Sequence, residues 1–597
     1  MPSSSPELLA GYWPAEQSRR ILDKTLSYRL ASDLSDLTRA ERTVLAELVA
    51  VGRTLDDLHN LQLHHQALSA RRELHKLHER LGRPERTRDL IELDDLFQGP
   101  IATTLENELV PFLPVDPWTE GKNVYPWGIS RDEIEAWLEA HPRDRDSLLD
   151  LHTAVRRSTP AALKRDLTTL DDQPILDKLH PGLRADLERR ATQASRSGLY
   201  AVPFSVAWPG PTLDAVAHLR TAADAIVAEN RDLAAFLRLR AQDLLTDDNE
   251  AGDAAWVRGD LGRIDAVIGS YEVYDDDLYG AKGFVGLSLF LRDESATSAL
   301  RRALDDLPAI EAALPYESWR RVQTDLPAGS YDILAAFGAG KQTGAEILPN
   351  DPNLLRKYGR KILVRRNLYT HPEAFSRMRA RWESVVDRDQ HAEVSAEGRY
   401  QQVVWHEIGH YLGPQLARDG RSIEQSLEDD ASPIEELKAE LASQFAAHQL
   451  RELGHLSDAD VRGLAAGAIL ASLRPVKPLR SQPYPTLWLM EFNWFLDRGV
   501  VVYEDGSLLV NWERHRAAVT DMLREVLRIQ VTGSKPDAAA FIEQLTHWDD
   551  RHDRLAAKMR GAEQYRYARP TYGLLDGTAG GAADAGAPEP VSASSRR

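Results

Sequence analysis

The chain contains no cysteine. Disulfides, thiolate nucleophiles and sulfur-ligated metals are excluded, and any metal must be held by imidazole and carboxylate. Net positive charge is lacking too: 73 basic residues against 92 acidic ones leave −19, with a pI near 5.5. A field of that sign repels phosphate backbones and anionic lipid, which sets nucleic-acid and membrane-surface roles aside. Long apolar runs are missing as well. The most apolar stretches, 464–473 and 487–496, are too short to span a bilayer. The opening Met1-Pro2-Ser3-Ser4-Ser5-Pro6-Glu7 has no basic region followed by an apolar run, so no secretory leader is expected. These absences point to a soluble, cytoplasmic protein.

What is present is an ordinary globular composition, 43% hydrophobic and 28% charged over 597 residues, enough for several structural units or two large lobes. The first 200 residues read as helix after helix. Ser130-Arg131-Asp132-Glu133 is a capping box, followed by Ile134, Trp137 and Leu138 at helical spacing. His59, His64, His65, His75 and His78 interleave with Lys, Arg and Glu, which predicts a solvated helix face rather than a ligand set. From about 260 the pattern changes. Short buried strands are predicted at 264–268, 284–291 and 361–364, and a hairpin at 500–503 and 507–511 around Glu504-Asp505-Gly506. Residues 373–475 return to helix, and the Gly/Ala/Pro/Ser-rich tail 576–597 is expected to be disordered. The predicted class is α+β, dominated by helix.

One segment carries chemistry: Val403-Val404-Trp405-His406-Glu407-Ile408-Gly409-His410-Tyr411-Leu412-Gly413. On a helix, His406 and His410 stand one turn apart and present both imidazoles to one point, as two zinc ligands must. Glu407 lies beside them, placed to accept a proton from an activated water. The flanking Val403, Val404, Ile408 and Leu412 bury the helix. A third ligand does not come from the same run, because Leu416 stands where the longer metalloprotease pattern has a third His. A second helix offers carboxylates instead, in Ser432-Pro433-Ile434-Glu435-Glu436-Leu437-Lys438-Ala439-Glu440-Leu441. Glu436 and Glu440 are at i, i+4, so one can bind metal while the other holds a ligand imidazole by its remaining N–H. Glu435 is the competing ligand and is expected to point elsewhere.

A five-residue His-Glu-x-x-His helix followed by Glu-Glu-x-x-Ala-Glu resembles the dipeptidyl peptidase III family, zinc exopeptidases that release dipeptides from peptide N-termini. The short motif is similar to that of bacterial and plant-type members. Three further stretches carry the resemblance: 268–280 with its Glu272-Val273-Tyr274, 342–351 with its Leu348-Pro349-Asn350-Asp351, and 121–141. The resemblance implies Zn2+ at His406, His410 and Glu436, with Glu407 as general base and Glu440 behind a ligand imidazole. It implies that Glu272 receives the substrate ammonium, Tyr274 donates to the developing oxyanion and Asn350 anchors the peptide's N-terminal end. A further catalytic His is implied downstream, for which His515 is the candidate. Also implied are two lobes around a wide cleft, 1–292 with 336–372 holding a β core, and 293–335 with 373–575 holding the zinc. The partner is a short peptide, with no nucleic acid or membrane, and the chain a monomer or homodimer. The chain departs from the family at Ile347, where an Asn is usual, and an apolar side chain cannot hydrogen-bond the peptide. Two alternatives follow: a zinc hydrolase of a modified amide on the same scaffold, and a catalytically silent peptide binder.

Overall fold

The computed structural model describes residues 10–192, 198–317, 322, 326–341, 345–349, 352–479 and 482–576. Beyond Asp576, the expected tail lies outside the described residues.

Five strands make the main sheet: β1 (Ile264–Glu272), β2 (Phe284–Arg292), β3 (Ala328–Gly338), β4 (Ala345–Leu348) and β5 (Lys361–Arg365), in the order β1-β2-β3-β5-β4. Only β3 and β5 pair in parallel. β2 is apolar on both faces and buried from Phe284 to Phe290, as a strand covered on two sides must be. Helix α1 (Arg39–Leu63) covers one face, with α2 (Pro209–Ile226) packed against it. Thr38 starts α1: its Oγ accepts from Glu41 N at 3.1 Å, and Glu41 Oε2 accepts from Thr38 N at 2.8 Å. Gly52 lets α1 press on the sheet, since a Cβ there would run into the Phe337 ring.

The second lobe is helical. Helices α3 (Ala396–Gly409), α5 (Asp458–Ser472), α6 (Pro483–Asp497) and α7 (Trp512–Thr532) surround α4 (Ala431–Glu452). α4 is buried along most of its length, which is why its hydrophobic pattern shows no single apolar stripe. Each lobe has its own large apolar core, and β5 is the seam between them: Leu363 belongs to the sheet core, Ile362 and Val364 to the helical one. Period-two alternation along one strand thus welds the lobes together. The fold is α+β, helix-dominated and two-lobed.

Several expectations need correction. β3 and β4 were not foreseen, and the lobe boundary expected at 335/336 falls inside β3. Its sequence, Ala328-Gly329-Ser330-Tyr331-Asp332, is small and polar at the start and hides a strand whose burial comes entirely from its neighbours. His59 and His64 are buried rather than solvated, and neither ring nitrogen of His59 has a hydrogen-bond partner among the described residues. The hairpin forms as read, at Val501–Glu504 and Ser507–Val510, with Asp505 and Gly506 both at positive φ (48° and 82°). No described helix is long and apolar enough to cross a membrane.

Candidate metal centre

Ser395 caps α3, its Oγ accepting from Gly398 N at 3.0 Å, and Val403, Val404, Trp405 and Ile408 bury it. At its far end Gly409 lies directly on α4; a Cβ there would collide with the Ala439 carbonyl oxygen. Lys438, fully buried, fastens the same junction. Its ammonium donates to the carbonyls of Gly409 at 2.9 Å and Leu412 at 2.8 Å, in the turn where the helix ends. Backbone contact at this point is what brings the His pair of one helix against the carboxylates of the other.

His406, His410 and Glu436 form one cluster whose ligand atoms lie within 4.8 Å of one another. Both imidazoles turn Nε2 toward the same oxygen: Glu436 Oε2 is 3.2 Å from His406 Nε2 and 3.6 Å from His410 Nε2. The rings stand at 89° with centroids 5.1 Å apart. Their other nitrogens are both tied to carboxylates. His406 Nδ1 bonds Glu440 Oε2 at 2.9 Å, and His410 Nδ1 bonds Glu435 Oε1 at 3.0 Å. Neutral imidazoles that donate through Nδ1 turn a lone pair outward at Nε2. Two such lone pairs and a carboxylate oxygen converging on one point are a donor set that could hold a divalent metal.

The same carboxylates also favour a proton on His406, which a metal ion at Nε2 would displace. Burial works against a charged His406, yet its bonds to Glu436 and Glu440 outweigh burial and raise its pKa well above the ordinary value. Burial raises Glu407 too, with His406 and His410 pulling the other way. Burial also acts on Glu435, but Lys438, 2.8 Å away, and His410 hold its carboxyl down at about 2. Glu435 therefore does not point elsewhere. It is the carboxylate behind His410, as Glu440 is behind His406, and Gln530 Nε2 donates to its second oxygen at 2.8 Å.

Among the other expected residues, Tyr274 is 72% exposed on the loop after β1 and lies close enough to Tyr484 of α6 to perturb it. Glu272 ends β1 opposite Phe284, with its side chain outside the described residues, as is the whole of Asn350. Ile347 sits in the edge strand β4, opposite Ile362, and packs on the helical core. His515 is not at the cluster: it is buried in the helical core, where Nε2 bonds Gln444 Oε1 at 2.9 Å. The apolar side of α7 carries it inward, which corrects the expectation of a catalytic His there. Sequence reading missed Tyr484, 45% exposed, whose hydroxyl hydrogen-bonds Glu436 and whose ring centroid is 6.4 Å from that of His406. No motif surrounds Tyr484; only the packing of α6 on α4 reveals it.

Comparison with solved structures decides the fold. Dipeptidyl peptidase III (DPP III) from Caldithrix abyssi superposes with a TM-score of 0.78 at 23% identity, covering 93% of this chain and 99% of that one. The chain has the DPP III fold. A dipeptidyl peptidase III from Corallococcus sp. strain EGB matches with a TM-score of 0.71, also at 23% identity, over 94% of this chain and 97% of its own. No family model matches the sequence. Among curated proteins, Nudix hydrolase 3 of Arabidopsis thaliana is 24% identical over 436 residues, 71% of this chain and 54% of that protein. The chain thus spans about half the length of this curated relative. In this DPP III fold the cluster belongs to the helical lobe, and Tyr274, on the loop after β1, lies near Tyr484.

Proposed function

We propose that the protein is a zinc-dependent peptidase that removes dipeptides from the N-termini of short peptides. The observation that carries this reading is the convergence of His406 Nε2, His410 Nε2 and Glu436 Oε2, each imidazole braced from behind by a carboxylate. The likeness in fold to two dipeptidyl peptidases III supports the reaction class. Imidazole and carboxylate without sulfur suit zinc. Bound there, zinc supplies Lewis acidity toward water and the scissile carbonyl.

The chain's own residues do the rest. Glu407 takes the proton of the attacking water and later returns it to the leaving amine; the raised pKa that burial gives it suits both tasks. Tyr484, hydrogen-bonded to Glu436, and Tyr274, near enough to act on it, donate phenolic hydrogens to the developing oxyanion. Glu272 and Asn350 fix the substrate ammonium two residues from the cut, which makes an exopeptidase of a general hydrolase. His515 takes no part in this scheme. Ile347 favours a second reading, hydrolysis of a modified amide, because the edge strand offers an apolar side chain where peptide contacts are needed.

Mass spectrometry of products from a mixed peptide library tests the proposal. Chelator-sensitive release of N-terminal dipeptides supports it; release of single residues, or products unchanged by chelator, contradicts it.

A further inference from the structure

A cavity of about 810 Å3 adjoins the same centre, and the scheme above does not use it. The sheet lobe lines one side, around 257–261 and 358–361; the other side holds Arg301 of the helix Glu294–Leu304 together with Tyr411 and Gln415, just past His410. Gln415 Nε2 donates to the His410 carbonyl at 3.2 Å, so this wall belongs to the turn that leaves His410.

Its charges do not cancel: five cations face three carboxylates, Asp260, Asp265 and Asp305. Lys361 pairs with Asp265, and Arg292 with Asp260 at 3.1 Å. Arg258 spends its guanidinium on the Tyr358 ring, 4.6 Å away, and on the Lys357 carbonyl. Two more guanidinium groups, Arg301 and Arg360, form neither an ion pair nor a side-chain hydrogen bond among the described residues. Arg360 Nε is buried without a partner, and so is the Tyr411 hydroxyl. Arg360 and Glu407 are both near enough to the Tyr411 phenol to act on it. Unpaired donors at the end of a cationic cavity are a costly arrangement unless an acceptor enters. In a chain of net charge −19 this is a local, opposite feature.

We propose that this cavity receives a carboxylate of the peptide substrate, gripped by Arg360 and the Tyr411 hydroxyl, with Arg301 at its mouth. A guanidinium offers a planar fork that matches a carboxylate, and the bond is charge-assisted. The inference rests on the peptidase reading and narrows it: the enzyme prefers peptides that carry a carboxylate beyond the cut. Either the C-terminal carboxylate or an Asp or Glu side chain supplies that group.

Matched peptides separate the sources, as free acid against C-terminal amide and as Glu against Gln at each downstream position. With wild-type protein, at least one of these ratios in kcat/KM exceeds about 10, the scale of a hydrogen bond to a charged group. Arg360→Gln brings that ratio toward one, mainly through KM, as loss of ground-state binding does. Should Arg360→Gln fail to fold, the exposed Arg301→Gln reads the same ratio. Ratios near one in the wild type, or unchanged in the variants, overturn the proposal. Calorimetric binding of the same peptides to Glu407→Gln keeps the two readings apart. Carboxylate-dependent binding that needs Arg360, without cleavage by the wild type, preserves the cavity and defeats the peptidase; equal binding of acid and amide, Glu and Gln, defeats the cavity.

Discussion

Two of the histidine pairs in the helical lobe contrast: His406 favours positive charge, whereas His448 and His515 resist it. His406 and His410 face α4 at Glu435, Glu436 and Glu440; His448, on α4 itself, faces His515 of α7 with ring centroids 5.9 Å apart. In each pair one ring is buried, His406 and His515, and the other, His410 and His448, half-buried. At His406, carboxylates outweigh burial and favour positive charge. At the second pair nothing does: burial lowers His448 to about 4 and His515 to about 3, with Arg516 adding to it at His448 and His448 adding to it at His515. One turn along α4 exchanges Glu440 for Gln444, and His515 consequently bonds an amide oxygen where His406 bonds an acid. Burial alone makes a core histidine; an acidic oxygen behind the ring makes a ligand.

The comparison can be attacked at the metal-facing pair first. Glu407→Gln leaves all three ligand atoms and removes only the base, so kcat falls by about 10²- to 10⁴-fold while metal content by elemental analysis is unchanged. Glu440→Gln gives His406 the amide neighbour that His515 has, and metal affinity drops by about 10- to 100-fold in a competition titration with a chelator. The reverse change, Gln444→Glu, sharpens the contrast from the other side: the His515 titration followed by NMR moves up by about 1–3 pH units. The effect of acid on stability tests the second pair. The unfolded chain protonates His515 near 6.5, while the native protein refuses that proton until about 3. Stability is therefore lost as pH falls through that window, by about 1.4 kcal/mol per pH unit for each such group. His515→Gln keeps a donor for Gln444 and removes one such proton, so the decline in urea midpoint between pH 6.5 and 4 becomes shallower.

Local sequence was enough for the centre itself. His406, Glu407 and His410 declare themselves by one-turn spacing in an apolar helix, and Glu436 with Glu440 by the same spacing downstream. What stayed hidden depends on packing between distant segments. Glu435 looked like a spare carboxylate because nothing local shows Lys438 fixing it under His410. Tyr484 reaches Glu436 only because α6 lies on α4. His515 carried a polar neighbourhood in sequence, Glu513-Arg514-His515-Arg516, yet its side of α7 turns inward, and the β4 strand is too short to announce itself. In the sheet, β2 and β5 were legible as apolar runs, whereas β3 owes its place to the partners on either side.

The central claim is that two ring nitrogens and one Glu436 oxygen share a divalent ion. Elemental analysis of the purified chain, after incubation with zinc and removal of the excess, tests it directly. The account predicts one equivalent of zinc per chain, lost in Glu436→Ala and retained in His515→Gln. Zinc absent from the wild type, or retained undiminished in Glu436→Ala, contradicts it.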